Sequence, residues 1–165
     1  MSTFVSVMAA DLPAPAVHTV KDVHAETFIN AYADFLSKSG KVSTPANVDL
    51  IKTGTHRELE PLNADWYFVR MAAVARKVYL RPRIGAGALA RWFGGAKNCG
   101  AAPQKFQKAA RGLLRHILIQ LEKNGIVETV LLQNENGQKV SAGRAITSAG
   151  LREMDRVARS LAAEE

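Results

Sequence analysis

The sequence predicts a mainly α-helical domain: a helical bundle with a winged-helix-like part and one small β-hairpin. Three observations carry this. Apolar residues recur at helical spacing in several separate runs. The stretch NENGQ, with the hairpin-turn dipeptide Asn136-Gly137, lies between two short strand-like runs, IVETVLL and KVSAGRAI. From about residue 64 the order is helix, short helix, long helix, hairpin, helix. That is the order of a winged helix with a trailing helix, a relative of the helix-turn-helix.

The elements follow in chain order. Residues 1–17, MSTFVSVMAADLPAPAV, read as a flexible N-terminal extension, and 18–165 as a single domain. A first helix is expected over about 24–38, with Phe28, Tyr32, Phe35 and Leu36 on one face and Gly40 as its stop. A short helix follows Pro45, uses Val48, Leu50 and Ile51, and ends at Gly54. HRELEPLN is a polar connection. Asn63 or Asp65 caps the next helix, DWYFVRMAAVARKVYLR, which Arg81-Pro82 ends. Between glycine-rich stretches, ALARWF makes about two helical turns. The longest helix is expected over 103–123, from Pro103 to the stop at Asn124-Gly125, with Phe106 on its apolar face. After the hairpin, Thr147 caps a last helix with Leu151, Met154, Ala158 and Leu161 on one face.

The 165 residues include 22 Lys and Arg against 15 Asp and Glu, a formal net charge of +7. Such a balance favours anionic partners, nucleic acid first and anionic membrane second. Apolar residues make up 47%, as in a soluble globular chain. No apolar run approaches the length of a membrane span. The start lacks a basic region and carries Asp11 and Pro13, which makes it a poor signal peptide; without arginine it is also a poor mitochondrial presequence. The lone Cys99 rules out an internal disulfide and suits a reducing compartment.

Residues 66–81 divide on a helical wheel. Tyr67, Phe68, Met71, Ala72, Ala75, Val78 and Tyr79 fill an arc of roughly 140°. Arg70, Arg76, Lys77 and Arg81 lie opposite, with Trp66 near the middle of that basic face. Guanidinium groups suit phosphate and stack on bases, and an indole beside them can do the same. The other reading is a solvated basic face whose Trp66 is covered by a loop. On the long helix, Lys108, Arg111 and Arg115 fall at i, i+3 and i+7, spanning roughly 10 Å. Gly85 and Gly87, behind Arg81 and Arg83, either make a turn or bring backbone amides to a phosphate. They match neither a P-loop nor a dinucleotide fingerprint. The four histidines show no metal-ligand spacing, no nucleophile has an evident base, and no carboxylate pair marks a site. An enzyme is not expected, nor a cofactor or metal.

The chain closely resembles the eukaryotic and archaeal ribosomal protein nineteen family of the small subunit, the "e" type. The resemblance rests on VKDV at 20–23, FLSKSGKV at 35–42, HREL at 56–59, DWYFVRMAAVARKVYLR at 65–81 and the GxG at 85–87. It continues through Gly94-Gly95, P-x-x-F at 103–106, LLRHILIQLE, GRAIT and DRVA, covering about 19–161. It implies a structural protein in the head of the small subunit that binds small-subunit rRNA and supports pre-rRNA maturation. Neighbouring head proteins and assembly factors would be its other partners, with no membrane and no small-molecule substrate. Residence would be on the cytoplasmic ribosome after a nucleolar or nuclear assembly stage. Trp66, Arg70 and Arg76 correspond to the family's rRNA-facing helix, and Arg115 to another functional basic position. The full set expected to bind RNA adds Lys77, Arg81, Arg83, Gly85, Gly87, Arg91, Lys97, Lys105, Lys108, Arg111 and Arg144. Residues 1–17, the long hairpin and the Glu164-Glu165 ending depart from the family pattern. The alternative reading is a winged-helix DNA-binding transcription regulator, with its long helix reading base edges.

Overall fold

A computed structural model describes residues 19–133 and 137–164. The expected extension over 1–17 and Asn136 of the expected turn lie outside the described residues. Among the described residues five α-helices and four strands follow in order: α1 Ala25–Ser39, α2 Trp66–Leu80, α3 Ala86–Trp92, β1 Gly95–Cys99, β2 Ala102–Gln107, α4 Arg111–Lys123, β3 Val127–Gln133, β4 Lys139–Ile146 and α5 Ser148–Glu164.

Helix α2 sits at the centre and packs against α1, α4 and β4. Its Tyr67, Met71, Ala72, Val74, Ala75 and Val78 are buried, and they meet Phe28, Tyr32 and Leu36 of α1 and Leu114, Ile117 and Leu121 of α4. The two Tyr hydroxyls of α2 find partners as they must in a core. The Tyr67 hydroxyl lies 2.8 Å from His116 Nδ1 of α4. The Tyr79 hydroxyl donates to Asp155 Oδ1 of α5 at 2.9 Å, and the Val20 amide donates to the same oxygen at 3.4 Å. Tyr32 donates to Glu153 Oε1 at 2.9 Å, so two tyrosines on two helices hold α5 in place.

Between α2 and α3, Ile84 exchanges both backbone hydrogen bonds with Arg144 of β4, at 3.2 and 2.9 Å. This isolated bridge ties the segment ahead of α3 to the two-stranded β3–β4 hairpin. It requires Gly143, whose φ is 122° and where a Cβ would stand 2.4 Å from the Arg83 carbonyl oxygen. Gly40 ends α1 in the left-handed region, and the Thr147 hydroxyl accepts from the Gly150 amide as the cap of α5.

Three expectations are corrected. The short helix after Pro45 is a single 3-10 turn, Val48–Leu50, and Gly54 instead bridges Ala109. The long helix begins at Arg111, not Pro103. Residues 102–107 belong to a second hairpin, so there are two small hairpins where one was expected. The Asn98 side chain accepts from the Gly100 amide at 3.0 Å, and Gly100 takes φ 67°, which closes a turn that Pro103 then leaves in extended form. Phe106 is thus 59% exposed on a strand, not on a helix's apolar face.

Trp66 was expected near the middle of the basic face and is instead buried, at 8% exposure, edge-on to Tyr67. Trp66→Ala should therefore cost about 3 kcal/mol of folding stability by opening a cavity, read as a fall in the urea midpoint at constant slope. An alkaline titration checks the tyrosine contacts. Burial pushes the Tyr67 hydroxyl up to about 12, against an ordinary value near 10. The unfolded chain then loses this proton first, so stability should fall as pH rises from about 10 to 12, and Tyr67→Phe should flatten that decline.

Candidate nucleic-acid interface

The cations of α2 do not form one stripe. At about 100° per residue, Arg70, Lys77 and Arg81 fall within roughly 40° of each other, whereas Arg76 stands about 100° round from Lys77. The first three share a row beside α3, and the aromatic residues at the end of α3 receive them. The Arg70 guanidinium lies 4.6 Å from the centre of the Phe93 ring. Lys77 Nζ and the Arg81 guanidinium lie 5.6 and 5.1 Å from the Trp92 ring centre.

Trp92 is 39% exposed, and with Lys77, Leu80 and Arg81 it lines an open cleft of about 350 Å³. The tryptophan at the basic surface is therefore Trp92, which sequence reasoning missed. A signal was available: Arg91-Trp92-Phe93 closes a helix of only two turns, whose last residues have no following turn to cover them. Each cation–π contact at such a site contributes about 0.5–1 kcal/mol. These contacts hold the charges in a row about 16 Å long, counted from Arg70 to Arg81.

Arg70 is the least solvated of the three. Burial, and then the nearby Arg57, lower its proton affinity, although a guanidinium stays charged throughout the physiological range. With Trp66, Phe93, Ile29 and Val69 it lines a cavity of about 520 Å³. Trp66 thus stands behind the basic row and does not share its surface. Arg76 is half-buried, and its Nε is enclosed without a hydrogen-bond partner.

A second cleft, of about 330 Å³, brings Gly85 to Arg115 and Arg144 along the wing. Arg115 is exposed, whereas Arg144 is committed to Glu122 at 3.3 Å. The third group is the β1–β2 hairpin, where Lys97 and Lys105 face each other across the strands. Like charges directly opposite are unfavourable without an intervening anion. Lys108 precedes α4, so only Arg111 and Arg115 of the expected helical row lie on that helix. Arg83, Gly87, Arg91, Lys108 and Arg111 are exposed around these groups without joining one of them. His116 packs on Tyr67 and takes no part in the surface.

Among the described residues no group of His, Cys, Asp and Glu could hold a metal ion, and no helix is long and apolar enough to cross a membrane. The exposed chemistry is cationic, aromatic and hydrogen-bonding. The sequence model of the ribosomal protein S19e family matches residues 19–164. The chain is 45% identical over 147 residues to small ribosomal subunit protein eS19B of Schizosaccharomyces pombe, covering 89% of this chain and 96% of that protein. It is 41% identical over 141 residues to eS19 of Myxine glutinosa, covering 86% and 91%. The same protein of Oryza sativa subsp. japonica is 41% identical over 140 residues, covering 85% and 90%.

A double-mutant cycle on Arg81→Ala and Trp92→Ala tests the shelf that Trp92 forms under Lys77 and Arg81. The expected coupling in urea unfolding is about 0.5–1 kcal/mol, and strictly additive losses would mean that the stack does not form in solution.

Proposed function

The chain belongs to the ribosomal protein S19e family, and from that membership and its surface we propose that it is a structural protein of the small ribosomal subunit that binds small-subunit rRNA. The observation that carries the RNA reading is the row Arg70, Lys77 and Arg81 stacked on Phe93 and Trp92. Cations held over rings lose little freedom when they meet phosphates, and the half-exposed Trp92 offers a face for an unpaired base or a sugar. Arg115 beside the wing and the Lys97–Lys105 pair extend the contact to two further sides.

The work of such a protein is to neutralise phosphate and fix rRNA folds without chemistry of its own, as the membership in a non-enzymatic family supports. In assembly this gives it a role in maturation of the rRNA precursor: a pre-rRNA segment that folds only once its charge is neutralised stays uncleaved until the protein arrives. Its site is the head of the subunit, beside other head proteins. It joins during a nucleolar or nuclear stage in the company of assembly factors, and then resides on the cytoplasmic ribosome.

The test is sedimentation of tagged protein from lysate at low and moderate salt. The wild-type chain should peak with the small subunit, and a failure to do so at both salts rules the reading out. Lys77→Ala with Arg81→Ala should retain the fold yet release the protein at lower salt. Each lost phosphate contact should lower the slope of log affinity against log salt by about 0.7–0.9. Trp92→Ala should weaken binding without changing that slope.

A further inference from the structure

A cavity of about 600 Å³ lies between the 53–62 connection, Arg70 of α2 and one face of the β1–β2 hairpin. It stands apart from the shelf on Trp92 and sits within the size range of ligand pockets. We propose that this cavity receives one unpaired RNA nucleotide, its phosphate against Arg57 and Arg70 and its base edge against the hairpin carboxamides of Asn98 and Gln104. The proposal deepens the rRNA-binding reading and rests on it.

The walls are built for such an occupant. The His56 ring is wedged against Gly54 and Gly95, where added Cβ atoms would meet it at 2.6 and 3.1 Å. This contact fastens the connection to the base of the hairpin and fixes the width of the cavity. Burial, Arg57 and Arg70 together lower the proton affinity of the ring, which disfavours a third positive charge there. Arg57 and Arg70 stand close enough to oppose each other's charge. Among the described residues neither lies within ion-pairing distance of a carboxylate. Two guanidinium groups that line one cavity without a carboxylate partner suit one phosphate.

The inner wall suits a base. Asn98 and Gln104 both line the cavity from the hairpin face that also carries Ala96 and Phe106. The Asn98 oxygen is committed to the Gly100 amide, which leaves its amide N–H groups for an acceptor on a base edge. Phe106, two residues from Gln104 and 59% exposed, lies beside the cavity with its ring against Gly94, where it can meet a base only at the cavity's edge. Glu58 and Glu60 also line the cavity. Carboxylates would weaken a plain phosphate site, but they accept N–H groups from a base and repel a second phosphate. An extruded base read on its edge and stacked on an aromatic ring is the usual mode of single-stranded RNA recognition.

Purified small subunits carrying the tagged chain supply the test, in two arms. Short-wave ultraviolet irradiation followed by digestion and mass spectrometry should give a nucleotide adduct on the peptides containing His56 or Phe106. Arg57→Ala and Gln104→Ala should each at least halve that adduct while the protein still sediments with the subunit and unfolds at the wild-type temperature. A carbodiimide arm reports whether Glu58 or Glu60 couples to a lysine of a neighbouring protein. Such coupling, or nucleotide adducts confined to peptides of α2 and α3, overturns the nucleotide pocket while leaving the ribosomal reading intact. Loss of the wild-type chain from the small-subunit peak overturns both.

Discussion

Everything in this molecule is arranged around the burial of α2. The helix has neighbours on two sides and carries seven buried residues in its fifteen. What remains is a narrow strip, and that strip holds Arg70, Lys77 and Arg81. Cations so near a core cannot be hydrated on all sides. The fold resolves this by placing Phe93 and Trp92 of α3 under the charges, where ring faces replace part of the lost water. Arginine tolerates the arrangement because its guanidinium is weakly hydrated, and Lys77 keeps its ammonium at the edge of an open cleft. The same contacts tie the end of α3, which packs mainly on α4, to α2, so the candidate interface and part of the packing are one set of interactions.

The trailing helix is secured differently. Asp155 is nearly fully buried, yet it is held by neutral donors, the Tyr79 hydroxyl and the Val20 amide, and not by a cation. Glu153 likewise receives the Tyr32 hydroxyl. Hydrogen bonds to a charged acceptor are stronger than neutral ones and fix direction. They anchor α5 while leaving the arginines elsewhere unpaired and available to an outside anion. The one ion pair among the described residues, Arg144 with Glu122, lies where the wing meets α4 and has a structural task.

Much of the fold was legible because burial leaves periodicity. The limits of α1, α2 and α5 follow from Phe28, Tyr32 and Leu36, from the Arg81-Pro82 stop, and from the Thr147 cap. The β1–β2 hairpin was not legible for the converse reason. Nearly every residue in it is exposed, so neither face leaves an apolar alternation, and Pro103 imitates a helix start. Trp66 was misplaced by the wheel because a wheel knows only the helix. At the first turn of α2, the chain around Pro61–Asn63 and the ring of Tyr67 enclose a side chain that would otherwise face out. Of the candidate site, Arg70, Lys77 and Arg81 were legible as a group. Trp92 and Phe93 were not, because the pairing of two helices is a tertiary fact.

The inserted hairpin also bears on what a winged helix can do here. A duplex-reading winged helix presents the first turns of its long helix to base edges in the major groove. In this chain β2 ends at Gln107, only a few residues before α4 begins at Arg111, and the Gly54–Ala109 bridge ties that junction to the connection ahead of α2. The hairpin therefore stands at the end of α4 that would have to enter a groove. Beyond that end the helix offers only Arg115 and Lys123 as exposed cations, too few to read a run of bases. The cationic groups on α2, beside the wing and on the β1–β2 hairpin are separate from one another, an arrangement that suits a folded anionic partner better than a regular duplex.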